Sequence, residues 1–258
     1  METISVVLAT FNEEKNLAAC LESVKDLAQE IIIVDGTSKD RTVEIAKSFG
    51  AKVLVTTNPP IFHINKQKAI DMATKDWVLQ LDADERVSPE LAKEIREVIS
   101  KDPPSKTDEP INGYWLPRKN FFLGRFLMKG GQYPDYTLRL YRKGTGRLPQ
   151  KDVHEQARVE GKVGYLTHPL THIADPEFGR YLMRFKRYTN LLADEYVDKK
   201  IGKNPYTFSK YMLVMPTYWF ILQYGRHKGF MDSWQGFVFS LFSSLRFPVS
   251  YLKYLGRK

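Results

Sequence analysis

Trp77-Val78-Leu79-Gln80-Leu81-Asp82-Ala83-Asp84-Glu85 decides how this chain folds. A short, almost continuous apolar run fits a strand buried on both faces of a sheet. Acids separated by one residue then emerge at its carboxyl end, the side of an open α/β sheet where ligands bind. Carboxylate oxygens placed there suit a hard divalent cation, Mg²⁺ or Mn²⁺, which bridges the phosphate oxygens of a ligand. An Asp-x-Asp triplet is also common in solvated turns, so the flanking sequence has to supply the rest of the argument.

Upstream, strands and helices alternate. Ile4-Ser5-Val6-Val7-Leu8-Ala9 is β-rich, and Leu17, Cys20, Leu21, Val24 and Leu27 follow at helical spacing after the loop Thr10 to Glu14. Glu30-Ile31-Ile32-Ile33-Val34 is a second buried strand ending in Asp35-Gly36, with a helix from about Arg41 to Phe49 closed by Gly50. Lys52 to Thr56 reads as a third strand, Lys66 to Ala73 as a helix, and Ser88-Pro89 as the N-cap and first residue of another helix. Apolar strands separated by helices predict a mainly parallel sheet with helices on both faces. Thr10, Asp35 and Asp82 then share one rim. Neither G-x-G-x-x-G nor G-x-x-x-x-G-K-[ST] follows the first strand, which argues against dinucleotide-binding and P-loop enzymes.

The chain of 258 residues is 43% hydrophobic, enough for a real core. Its single cysteine, Cys20, excludes an intramolecular disulfide and reads as a packed thiol in a reducing compartment. The amino terminus lacks a basic stretch followed by an apolar run, so a cytoplasmic protein is expected. Net charge is +9 but uneven: from Gly179 onward there are 14 Lys and Arg against 4 Asp and Glu, and 25 against 26 elsewhere. The same tail holds 19 of the 33 aromatic residues. A basic, aromatic segment suits nucleic acid or an anionic membrane surface.

Ala9-Thr10-Phe11-Asn12-Glu13-Glu14, Val34-Asp35-Gly36-Thr37-Ser38-Lys39-Asp40-Arg41-Thr42 and Leu81-Asp82-Ala83-Asp84-Glu85 together resemble the amino-terminal half of family 2 glycosyltransferases. Tyr133-Pro134-Asp135, Leu138 to Arg142 and Val153-His154-Glu155 extend the likeness to the lipopolysaccharide-core β-1,4-glucosyltransferase subgroup. The resemblance implies a GT-A fold, a nucleoside-diphosphate sugar donor such as a UDP-sugar, and direct displacement with inversion. It implies Asp84 as metal ligand, Asp82 nearer the ribose, Asp35 toward the base, and Thr10 and Glu13 along the nucleoside. Lys66 and Lys68 are expected to face the base or diphosphate. Ala69 stands where the subgroup often has Asn.

Direct displacement needs a group to take the acceptor proton, and a carboxylate opposite the leaving group suits that task. The resemblance sets Glu155 there as catalytic base, with Asp152 competing. His172 is an acceptable second metal ligand or a structural histidine. Arg139 either reaches the diphosphate through its planar fork or is a solvated strand charge. Gly130-Gly131 reads as a loop closing over the donor or as a plain turn.

Residues 1–178 are therefore expected to form the GT-A catalytic domain, with 1–100 as its nucleotide half and 111–178 as its acceptor half. Residues 179–258 form a helical appendage, in which Tyr181, Leu182, Phe185, Tyr188, Leu191 and Leu192 lie on one predicted face. The longest apolar stretch there, Tyr211 to Leu222, has 12 residues. A bilayer span needs roughly 20, so an interfacial anchor or an oligomerisation element is expected instead. The function read from the sequence is an inverting hexosyltransferase. It moves glucose or a related sugar from a UDP-sugar to a lipid-linked glycan or lipopolysaccharide core, peripherally on the inner face of the cell membrane. Transfer to a polyprenyl phosphate is the enzymatic alternative. A nucleic-acid-binding module is the alternative of another class, and without a reader motif nucleic acid is not the expected partner.

Overall fold

A computed structural model describes residues 2–100, 109–149 and 156–257. The chain separates into two compact units, Met1–Arg118 with Asp135–His172, and Lys119–Pro134 with Ile173–Lys258. The second unit thus includes Lys119–Pro134 as well as the basic tail.

The first unit begins with β1 (Ile4–Thr10), α1 (Glu14–Glu22), β2 (Glu30–Asp35), α2 (Thr42–Ser48), β3 (Lys52–Val55), α3 (His63–Asp71) and β4 (Trp77–Leu81). Next along the chain come β5 (Glu85–Arg86), α4 (Pro89–Ser100), β6 (Ile111–Phe122), β7 (Arg125–Phe126), which belongs to the second unit, and β8 (Asp135–Arg142). Short strands β9 (Gly146–Arg147) and β10 (Arg158–Val159) pair with each other, and β11 (Lys162–Tyr165) and β12 (Leu170–Asp175) complete the β structure. The main sheet has the order β3-β2-β1-β4-β8-β6-β12-β5. β3, β2, β1 and β4 are parallel, as the alternating sequence pattern requires. β8 runs antiparallel to both β4 and β6, so the sheet is mixed beyond β4.

Strand periodicity sorts the apolar side chains into two cores. Ile4, Val6 and Leu8 of β1 join Ile33, Trp77, Leu79 and Leu81 on one face, packed by Leu17 and Leu21 of α1 and Leu91 and Ile95 of α4. Val7, Ile32, Val34 and Val78 lie on the other face, against Ala69 and Ile70 of α3. Each buried Val, Leu or Ile among these contributes about 1.5–3 kcal/mol. Gln80 shares the parity of Val78 and so faces α3. It is the one polar side chain of β4, and it marks where the core gives way to the site.

Local signals agree with the helix ends. Ser88 Oγ accepts the Leu91 amide at 3.2 Å at the start of α4. Gly50, after α2, has φ 71°, a left-handed conformation that suits glycine. Cys20 is buried, donates to the Asp82 carbonyl at 3.5 Å, and has its thiol pKa pushed up by burial.

The second unit contains α5 (Phe178–Asp198), α6 (Pro205–Ser209), α7 (Met215–Phe220) and α8 (Ser233–Leu255), with π-helical turns at Lys210–Val214 and Ile221–Arg226. The buried face of α5 is Tyr181, Thr189, Ala193 and Tyr196, whereas Leu182, Tyr188 and Leu191 are exposed. Of the expected face, Tyr181 is buried and Phe185 and Leu192 are half-buried, so the packed stripe is shifted only partway around the helix. Small Ala193, and Thr189 with its hydroxyl satisfied by the Phe185 carbonyl at 2.8 Å, occupy the buried stripe in place of the larger side chains. Gly130 and Gly131 take φ 64° and 72°, and the Gly130 amide donates to the His227 carbonyl at 2.9 Å. Asp232 accepts the Lys129 amide at 2.7 Å and lies 3.7 Å from Arg125 Nε, so this loop is tied to its own unit. Among the described residues, no helix is long and apolar enough to cross a membrane.

Candidate active site

Parallel registration of β1 with β2 sets Thr10 beside Asp35 at the carboxyl rim. Thr10 Oγ1 donates to Asp35 Oδ2 at 2.9 Å, and the same carboxylate accepts the Ser38 amide at 2.8 Å and the Ser38 hydroxyl at 2.6 Å. Asp35 is fully buried, an acid held inside a tight turn. The two following loops are laced together. Asn12, at φ 55°, donates its amide to Ser38 Oγ and accepts the Lys39 amide, both at 2.8 Å. Glu13 donates its amide to Thr42 Oγ1 at 2.8 Å, and its carboxylate accepts from Asn16 at 2.8 Å. Thr10, Glu13 and Asp35 are thus brought together, and Lys68 Nζ reaches Thr56 Oγ1, just past β3, at 3.4 Å.

Asp82 is the centre of a charge network. Its Oδ1 is paired with Lys66 Nζ from α3, and its Oδ2 accepts Arg139 Nη2 from β8 at 2.6 Å. Antiparallel pairing of β4 with β8 places Arg139 there. Arg139 also donates to Gln80 Oε1 at 2.6 Å and to Glu85 Oε1 at 2.9 Å. Burial opposes the charge on Asp82, but Arg139 and Lys66 outweigh it and hold the carboxyl well below the usual range. Burial similarly works against Arg139, and Asp82 and Glu85 more than compensate, raising its pKa. For Lys66 burial wins over the Asp82 attraction, and its ammonium is pulled below its ordinary value. Arg139 and Lys66 are therefore inner cations that fix Asp82.

Glu85 closes the acidic turn. Its Oε2 accepts the Asp82 amide at 2.9 Å, and its own amide donates to the Asp82 carbonyl at 2.9 Å. Asp84 lies in the same turn, beside β12. β5 pairs with β12 so that His172 stands opposite Glu85, and His172 Nε2 comes within 3.6 Å of Asp84 Oδ1. Two ligands each about 2.1 Å from one ion and about 90–110° apart are separated by about 3.0–3.4 Å, so this pair fits a shared Mg²⁺ or Mn²⁺ after a small adjustment. Among the described residues no third His, Cys, Asp or Glu completes a three-ligand group. A cation shared with phosphate oxygens can be held by as few as one or two protein side chains.

Sequence reading gave no role to Arg118 or Asp135, although Tyr133-Pro134-Asp135 was among the motifs. Registration of β6 with β8 opposes them, and Arg118 donates through Nε and Nη2 to Asp135 Oδ2 at 3.0 and 2.7 Å. Arg118 Nη1 also meets Glu85 Oε1 at 3.3 Å. A continuous path of ion pairs thus runs from Lys66 through Asp82, Arg139, Glu85 and Arg118 to Asp135. The signal for it is the spacing of charges on two paired strands, visible only once their register is known. Glu155 and its competitor Asp152 lie outside the described residues.

The sequence model for "Glycosyl transferase family 2" matches residues 5–146. An uncharacterized glycosyltransferase of Rickettsia typhi is 29% identical over 255 residues, covering 96% of this chain and 85% of that protein. LpsC of Rhizobium meliloti, a lipopolysaccharide core biosynthesis glycosyltransferase, is 29% identical over 257 residues, covering 94% of this chain and 91% of LpsC. Among solved structures, residues 1–349 of S. aureus TarS match 99% of this chain and 92% of that one, at 14% identity and a TM-score of 0.50. This chain spans 45% of a longer TarS structure. The TarS likeness bears on fold alone.

Proposed function

Because the chain belongs to glycosyltransferase family 2 and is a glycosyltransferase, we propose that it moves a hexose, glucose or a close relative, from a UDP-sugar to a lipopolysaccharide-core or other lipid-linked glycan. The observation that carries this reading is the convergence of Asp84 and His172 beside the Lys66–Asp82–Arg139 network. The nature of the acceptor is suggested by the likeness to LpsC along most of both chains. A lipid-linked acceptor puts the reaction at the inner face of the cell membrane.

In this reading Thr10, Glu13 and Asp35 form the rigid floor under the nucleoside, and Lys68 stands at its edge. Asp84 and His172 hold Mg²⁺ or Mn²⁺. When bound, such an ion stabilises the negative charge that develops on the departing diphosphate. Lys66 and Arg139 keep Asp82 ionised and oriented toward the ribose. Arg139 is thus a positioning residue, since its guanidinium is occupied by Gln80, Asp82 and Glu85. The acceptor oxygen bonds to the anomeric carbon as the bond from that carbon to the diphosphate breaks. The acceptor proton passes to the carboxylate of Glu155, and UDP leaves with the bonding electrons.

The test is a panel of nucleotide sugars assayed for hydrolysis and transfer with Mn²⁺, Mg²⁺ or a chelator. Metal-dependent turnover of a UDP-hexose is expected, with loss on chelation. Absence of binding and turnover for every nucleotide sugar under every metal condition overturns the proposal.

A further inference from the structure

The helical run from Pro205 to Arg226 in the second unit has two unlike sides. One is packed within its own unit: Tyr211 stacks on Tyr251 of α8 at 5.1 Å, Trp219 meets Phe247 at 5.8 Å, and Gln223 is buried. The other side is apolar yet open. Tyr206, Leu213, Val214, Tyr218 and Ile221 are 57–75% exposed, and they recur along the run at near-helical intervals. A helix apolar all round belongs in a non-aqueous setting on each side, and here only one side has it.

The charges around this face say what covers the other. From Lys199 to Met231 the sequence contains no Asp or Glu, but it carries Lys199, Lys200, Lys203, Lys210, Arg226 and Lys228. The whole unit has 17 Lys and Arg against 6 Asp and Glu. Several of those acids are already engaged inside the unit, Asp175 with Arg184, Asp194 with Arg257 and Glu195 with Lys199. A second copy meeting the same face in a two-fold pair would oppose like charges. Beyond Arg226, exposed Phe230, Met231 and Trp234 extend the apolar surface next to Lys228. Aromatic and basic residues side by side suit the headgroup level of a bilayer. No described helix is long and apolar enough to cross one.

We infer that the open face of the Pro205–Arg226 run, with Arg226 and Lys228 at its end, docks in the plane of an anionic lipid bilayer. Leu213 and Ile221 enter the acyl boundary while the basic side chains pair with anionic headgroups. The inference stands apart from the donor chemistry, because it uses no residue of the first unit.

The test is flotation of the full-length protein with phosphatidylcholine vesicles containing about 30 mol% phosphatidylglycerol. Wild type is expected to float with these vesicles, to float far less with neutral ones, and to be released by about 0.5 M salt. Leu213→Glu with Ile221→Glu should weaken vesicle binding at least ~10-fold at an unchanged melting temperature, since both side chains are exposed. Should that pair fail to fold, Arg226→Glu with Lys228→Glu reads the same face through its charge and should also lose binding. Equal flotation with neutral vesicles overturns the inference, as does no flotation at all. So does a dimer that the Leu213/Ile221 pair dissociates while vesicle binding stays intact.

Discussion

Asp84 and His172, far apart in sequence, meet with Oδ1 and Nε2 3.6 Å from one another because the two-residue strand β5 pairs with β12. His172→Ala should weaken Mn²⁺ binding on the order of 10–100-fold, and Asp84→Ala at least as much. Calorimetric titration of Mn²⁺ in the presence of UDP checks this. If both variants bind Mn²⁺ like wild type, the pair is not the metal site.

Arg139 holds one half-buried acid, Asp82, and one fully buried acid, Glu85. Arg139→Met leaves the Glu85 carboxylate with Arg118 as its remaining cation and removes one of two cations from Asp82. Breaking a buried pair from one side costs about 3–5 kcal/mol. Urea unfolding followed by tryptophan fluorescence should show a loss of that size. Arg139→Lys should recover only part of it, because an ammonium cannot reproduce the fork toward Gln80, Asp82 and Glu85.

Glu30, at the opposite rim, accepts from Ser5, from Thr74 and from Lys52 at 2.7 Å. Burial opposes its charge, yet Lys52, Ser5 and Thr74 together bring its pKa down to about 2. A carboxyl whose pKa falls on folding stabilises the protein above its unfolded pKa, about 4.3, and loses that contribution as pH drops toward the folded value. With allowance for the exposed Lys52, the contribution at neutral pH is on the order of 2 kcal/mol. Glu30→Gln should therefore be less stable than wild type at pH 7, with the gap closing by about pH 2. Parallel unfolding curves for the two proteins across this range provide the measurement.

Glu155→Gln should lower transfer by about 10²–10⁴-fold while leaving UDP affinity unchanged. Asp152→Asn should have a much smaller effect on transfer. Activity retained in Glu155→Gln would instead favour an acceptor that is already ionised, such as a phosphate.

Much of the first unit could be read directly from the sequence. Strands such as Ile4–Thr10, Glu30–Asp35 and Trp77–Leu81 are buried on both faces, so they appear as unbroken apolar runs. The rim positions of Thr10, Asp35 and Asp82 followed from where those runs stop. Partners set by long-range register were not legible. Nothing local to Asp82 says that Lys66 will lie buried against it, and nothing local to Arg118 names Asp135. The face of α5 was misjudged for a related reason. Periodicity gives weight to large apolar side chains, while the packed stripe is built around Thr189 and Ala193.

The reciprocal hydrogen bonds between Asp82 and Glu85 have a consequence for how the turn responds to its surroundings. Two of the four residues in Asp82-Ala83-Asp84-Glu85 hold the other two in place, through backbone groups as well as carboxylates. The turn around Asp84 is therefore already built by its own residues. If a cation binds at Asp84 as proposed, it would exchange without waiting for this turn to rearrange.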